Sequence, residues 1–195
     1  SVDAGKLQKA ASLNLLQKLP SEIITENIQN QLLDINNFWA PITYRSRILV
    51  YSNERVNKND LNTYESLADE KWKNRILVRS SSNAYNQALM ASIIANNGIE
   101  KARNWSEGIV ANLARSPKGN DRDQVKAIYS GLGDVAIVNS YYIGLLLSSE
   151  KEEERKAGES VSVFFPNQEE NQRGTHVNIS GVAITKNSPN KDNAV

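Results

Sequence analysis

The sequence predicts an α/β protein with a mostly parallel sheet and flanking helices, on three observations. Two short apolar runs, "RILV" at 75–78 and "DVAIV" at 134–138, each lead through cap residues into a helical pattern. The runs are continuously apolar rather than alternating, as in parallel strands buried on both faces. Strand and helix patterns then go on alternating to residue 185.

Residues 7–19 read as a helix, with Leu13 and Leu16 three apart and Lys or Gln between the apolar positions, before Pro20-Ser21 restarts the chain. "ITYRSRILVY" at 42–51 is a strand that ends in an apolar run typical of a buried parallel strand. The polar stretch "NKNDLNTYESLAD" carries a short helix with Asp60 and Thr63 as caps. After the 75–78 strand, Ser80, Ser81, Ser82 and Asn83 offer caps for a helix over 84–96, closed by Gly98, with Leu89 and Ile93 facing inward. A helix follows over about 101–111, then the turn "RSPKGN", then a helix over 121–130 with Gly131 past its end. Behind the 134–138 strand, Asn139-Ser140 caps a helix over 141–149. The charged run 150–159 reads as an exposed face, and strands follow at 161–165 and 176–185.

Composition removes several function classes. The chain has 195 residues with 23 Lys+Arg against 22 Asp+Glu, so it lacks the basic excess that grips nucleic acid or acidic lipid. No Cys excludes disulfides, Cys-zinc sites, iron–sulfur clusters and thiol nucleophiles, and a single His excludes an all-His metal cluster. No apolar run is long enough to span a membrane. A serine hydrolase would need a G-x-S-x-G elbow, and Ser80 to Ser82 lack its glycines. "GLGD" precedes a strand, the wrong side for a dinucleotide fingerprint. The chain opens inside a helical pattern and stops just after Ser188-Pro189, which reads as a helix start. That suggests a stretch of a longer protein, so a missing signal peptide says nothing about export.

The two strand–cap–helix units share one feature: each places tyrosine in the first turn of its helix, Tyr85 in one and the pair Tyr141 and Tyr142 in the other. Ligands of open α/β sheets bind beyond the carboxyl ends of the strands, where helix N-termini favour anions. Phenol is neutral at pH 7, with a pKa of about 10. A trivalent cation lowers that strongly, and phenolate is a hard oxygen donor suited to Fe³⁺. On a straight strand two adjacent tyrosines would point to opposite faces, whereas at a strand-to-helix turn both can face one cleft. A tyrosine in a first turn also commonly just packs with its hydroxyl near water. From the pattern alone both readings stand.

"DAGKL", "TYRSRILVY", "LADEKWKNRILVRSSSNAYNQ", "GNDRDQVKAIYSGLGDVAIVNSYY", "FFPNQ" and "RGTHVNISGVAITKNSPNKDNAV" together resemble the ferric-iron-binding periplasmic proteins of ABC uptake systems. These form the transferrin-like branch of the two-lobed periplasmic-binding-protein fold, type II-like, and the resemblance runs through essentially the whole chain. It implies that Tyr85, Tyr141 and Tyr142 are Fe³⁺ ligands from one lobe. The family's other protein ligands, a Tyr and often a His, come from a segment nearer the N-terminus that is absent here. Some relatives complete the sphere with a synergistic anion such as carbonate, which Ser80, Ser81 and Ser82 could hold. The resemblance further implies a non-enzymatic periplasmic protein, monomeric when full length and not inserted in the membrane. It would deliver iron to an ABC permease in the inner membrane. Several relatives carry Arg three residues after the second Tyr, where this chain has Leu145.

On that reading the chain is a truncated piece of a two-lobed protein. Residues 46–178 would be one lobe, with 1–45 and 179–195 parts of the other, and "TYRSRILVY" and "HVNISGVAIT" the hinge strands. Arg45 and Arg47 alternate on the first of these and could hold an anion, offset phenolate charge, or lie solvated or bridge the lobes. His176 reads as structural. Tyr44, Tyr51, Tyr64 and Tyr129 read as packing residues, and Trp39, Trp72 and Trp105 as core or rim anchors. Two other functions fit the same fold: a receptor for a small anion or organic solute, and the effector-sensing domain of a transcription regulator.

Overall fold

A computed structural model describes residues 2–19, 21–190 and 193. The chain divides into two compact units, Ser1–Arg45 with Val177–Val195, and Ser46–His176. It passes from one to the other within strand β2 (Ala40–Ser52) and again just before β6 (Val177–Val182).

In the first unit β1 (Val2–Asp3) pairs antiparallel with β6, Val2 opposite Gly181 and Asp3 opposite Ser180. Helix α1 (Ala4–Ser12) buries Leu7, and a short α2 (Glu22–Asn27) follows. Helix α1 ends earlier than the sequence pattern predicts, because Asn14 takes a positive φ of 57° and turns the chain out. Leu13 is left exposed, and Leu16 forms a bridge to Thr185 and is buried there. The three-residue spacing of Leu13 and Leu16 is therefore not one helix face. Pro20, read as the restart point, lies outside the described residues.

The second unit is a sheet in the order β5–β2–β4–β3 with helices on both faces. Its strands are the later part of β2, β3 (Ile76–Leu77), β4 (Val135–Asn139) and β5 (Val161–Phe164). Alternation along the strands sorts two cores. Leu49, Tyr51, Val135 and Ile137 face α3 (Ala84–Asn97) and α4 (Ile99–Ala111), packing on Leu89, Ile93, Trp105 and Ile109. Ile48, Val50, Ala136 and Val138 face α5 (Asp121–Tyr129), α6 (Tyr141–Leu147) and α7 (Glu152–Glu159), packing on Val125, Ile128, Ile143 and Leu146. Every residue of β4 is buried.

The sheet is mixed rather than mostly parallel. Among the described strand pairs β3–β4 is parallel, while β2–β4, β2–β5 and β1–β6 are antiparallel. A continuous apolar run reports burial on both faces, which a central strand has whatever its direction. "ITYRSRILVY" therefore reads the same in either sense. Two further expectations change. The 57–69 stretch folds as separate 3₁₀ turns, and Asn57, not Asp60, caps the first of them. Thr63 does accept from the Ser66 amide, at 3.0 Å. The charged run is helix α7, whose Ala157 and Gly158 are buried. Trp39, Trp72, Trp105, Tyr51 and Tyr64 are buried, but Tyr44 and Tyr129 are exposed and are not packing residues. Tyr44 lies in the stretch 42–44 of β2 that is exposed throughout, and Tyr129 is the last residue of α5.

Candidate metal centre

Two corners of the second unit carry the three tyrosines. At the first, Asn83 accepts from the Tyr85 amide at 2.9 Å and starts α3, so Tyr85 stands in its opening turn. At the second, β4 ends on Asn139, paired with Arg47 of β2, and Ser140 leads directly into α6. The Ser140 amide donates to the Ser46 carbonyl at 3.0 Å, which fixes the turn. Tyr141 and Tyr142 are thus consecutive first-turn residues, with ring centroids 4.2 Å apart and planes tilted by 33°.

The structure brings all three side chains together. The Tyr141 phenol stands close enough to Tyr142 and Tyr85 for both to bear on its proton. Burial pushes the Tyr141 phenol well above its ordinary pKa, and the neighbouring Tyr142 and Tyr85 push the same way, against a smaller opposing pull from Asn139. As it stands, Tyr141 is therefore a neutral phenol at pH 7. Among the described residues no group of three or more His, Cys, Asp or Glu could hold a metal ion.

The other candidates lie elsewhere or are already engaged. Ser80, Ser81 and Ser82 are exposed, Ser80 Oγ lies 2.8 Å from Ser82 Oγ, and the cap of α3 is Asn83. Arg45, in the first unit, pairs with Asp3 and donates to Ser180 Oγ at 2.6 Å. Arg47 is 1% exposed and donates to Asp121, to Asn139 Oδ1 at 3.2 Å and to Asn86 Oδ1 at 2.7 Å. His176 contributes backbone groups, its carbonyl accepting from the Arg47 amide at 2.9 Å.

Sequence reasoning did not single out the charged cluster beneath the tyrosines. Asp121 is fully buried and accepts from the Arg47 guanidinium, from Arg79 at 3.3 Å and from the Asn139 amide at 2.7 Å. In the sequence it looks like an ordinary acidic first-turn residue of α5. That role is filled by its neighbours: Asn120 caps the helix and Asp123 returns a bond to the Asn120 amide, a full capping box. With the terminus already satisfied, Asp121 points inward. The Arg47 and Arg79 guanidinium carbons lie 5.9 and 5.3 Å from the centroid of the Tyr85 ring, within cation–π range.

In an open α/β sheet, ligands bind beyond the carboxyl ends of the strands, which is where these tyrosine corners lie. The chain belongs to the bacterial extracellular solute-binding protein family, whose pattern matches residues 2–194. It is 48% identical over all 195 of its residues to iron uptake protein A2 of Synechocystis sp., of which it spans 56%. A Trichodesmium protein solved in complex with iron and citrate ligands superposes with a TM-score of 0.94 at 44% identity, over 99% of this chain and 60% of that one. The ferric binding protein from Campylobacter jejuni gives 0.91 at 41% identity, over 98% and 60%. The chain thus spans a little over half the length of these relatives. The fold is that of the ferric-binding periplasmic proteins, and the family is one of solute-binding proteins, not of enzymes. Among the described residues no helix is long and apolar enough to cross a membrane.

Proposed function

We propose that this chain carries half of an Fe³⁺ site, in which Tyr85, Tyr141 and Tyr142 bind the cation as phenolates. The observation that carries the reading is the convergence of three phenols in a unit whose described residues hold no group of three or more His, Cys, Asp or Glu fit for a metal ion. Relatives named for iron uptake and ferric iron binding support it. The remaining ligands would come from the part of the relatives that this chain does not span. An anion held by the three serines, Arg45 or Arg47 has no comparable support, because Arg45 and Arg47 already have carboxylate partners.

The mechanism follows from charge. A neutral phenol is a poor ligand, so the cation must displace a proton from each tyrosine that it binds. Loading therefore releases protons, and acid reverses it. Arg47 and Arg79 on the Tyr85 face leave positive charge beside phenolates that have given up their protons. The whole protein would act outside the cytoplasm, with 46–178 as the lobe that carries the tyrosines and 1–45 with 179–195 as parts of the other, and pass Fe³⁺ to an ABC permease. The crossings in β2 and before β6 would serve as hinges.

The test is titration with ferric citrate, following the visible phenolate-to-iron charge-transfer band in the wild-type chain and in Tyr85→Phe, Tyr141→Phe and Tyr142→Phe. A band in the wild type that weakens in each variant supports the assignment. Retention of the full wild-type band in all three would refute it.

A further inference from the structure

We propose that Asp121 is a positioning residue for the tyrosine site: through Arg47 it locks the corner that carries Tyr85 to the corner that carries Tyr141 and Tyr142. The proposal rests on the iron reading above, and adds to it a group that touches no ligand atom.

The argument begins with what must be held. Tyr85 stands in the first turn of α3 and the tyrosine pair opens α6. Three oxygens can share a cation only if these two helix starts keep a fixed spacing, and a misplacement of about 1 Å weakens a site sharply. One guanidinium spans the gap. Arg47 donates at one end to Asn86 Oδ1, the residue after Tyr85, and at the other to Asn139 Oδ1, two residues before Tyr141. Asn86 passes the restraint on, since its amide donates to the Arg79 carbonyl at 2.8 Å, which anchors the turn ahead of α3.

Asp121 orients this clamp. A buried guanidinium without a counter-charge would be costly, and Asp121, itself fully buried, is the carboxylate that Arg47 meets. The same carboxylate oxygen accepts from the Asn139 amide, so Asp121 also holds the end of β4 directly. Its second oxygen takes Arg79, whose guanidinium, like that of Arg47, sits on the Tyr85 ring. One side chain from α5 therefore reaches both tyrosine corners, by two routes to the Tyr85 side and two to the Asn139 side.

The experiment compares Asp121→Asn, Asn86→Ala and Arg47→Lys with Tyr142→Phe in the chain titrated with ferric citrate. Three quantities are read: citrate competition, the wavelength of the charge-transfer band, and protons released per iron. Asn86→Ala removes one arm of the clamp at a half-buried position and leaves the Arg47–Asp121 pair intact, so it stays informative should Asp121→Asn not fold. For positioning, Asp121→Asn and Asn86→Ala lose affinity by roughly 10–100-fold and shift the band, with the wild-type proton count, because every phenolate is still present. Arg47→Lys keeps the charge but not the fork, and falls on the same side. Tyr142→Phe loses a proton from the count. Folded Asn86→Ala and Asp121→Asn with wild-type affinity and band would overturn the proposal even where Tyr142→Phe abolishes binding. Unchanged behaviour of Tyr142→Phe would instead overturn the iron reading.

Discussion

The Tyr64 hydroxyl donates to the backbone carbonyl of Arg47, and so pins the strand whose side chain lies beneath Tyr85. The same oxygen accepts from the His176 amide at 3.2 Å, and the Arg47 amide donates to the His176 carbonyl. Tyr64 is fully buried, and burial raises its pKa beyond the ordinary phenol range despite the His176 hydrogen bond, so it serves as a neutral donor. Its ring packs in the core under α4, where Trp105 Nε1 donates to the Tyr64 carbonyl at 2.7 Å.

Tyr64→Phe should therefore destabilise the second unit by about 1–3 kcal/mol, because it leaves a buried carbonyl and amide without their partner. Urea unfolding read at tryptophan would show it. An unchanged midpoint would mean that water replaces the hydroxyl.

Tyr141→Phe should do the opposite to stability and function. Its hydroxyl is in a partly exposed cluster, so the fold should change by no more than about 0.5–1.5 kcal/mol while the ferric band weakens strongly. Thermal melts of the apo chain beside the titration separate the two effects.

Iron binding should weaken as pH falls, since protons and the cation compete for each phenolate. Citrate competition at successive pH values should show the loss steepening with the number of tyrosines present. Tyr85→Phe should flatten the slope, and a slope shared by variant and wild type would count against phenolate ligation.

A separate acid sensitivity belongs to the fold. The Lys126 ammonium, 2.9 Å from Glu154, lowers the Glu154 carboxyl to about 2, with the Ser149 hydroxyl assisting. A depressed carboxyl stabilises the fold above its unfolded pKa of about 4.3, and the contribution disappears as pH falls toward 2. Glu154→Gln should flatten the acid limb of stability over that window and change nothing at pH 7 beyond the loss of one surface pair. Melting temperatures between pH 2 and 5 would check this.

Gly181 tests the first unit. A Cβ there would lie 2.6 Å from the Ala40 carbonyl oxygen and 2.9 Å from Leu7 Cδ1. Gly181→Ala should cost about 1–3 kcal/mol through strand displacement. A wild-type melt would mean that β6 and β2 separate freely.

The local pattern by itself determined the strand–cap–helix units, because caps and apolar runs are properties of neighbouring residues. It placed Tyr85, Tyr141 and Tyr142 in first turns, and the observed α3 and α6 begin at Ala84 and Tyr141. Strand direction was not legible, since burial on both faces erases the period that distinguishes the two senses. Neither was the end of α1, which a single left-handed Asn14 decides. Asp121 was hidden for a different reason. Its sequence neighbours suit it to a helix start, and only the packing of α5 on β4 and β2 reveals that Asn120 and Asp123 do that work. The contacts that give Asp121 its partners join residues 47, 79, 121 and 139, far apart in the chain. The sequence could name the tyrosines; which charges stand behind them was decided where β2, β4 and α5 meet, because a buried carboxylate is stable only where the fold delivers its donors.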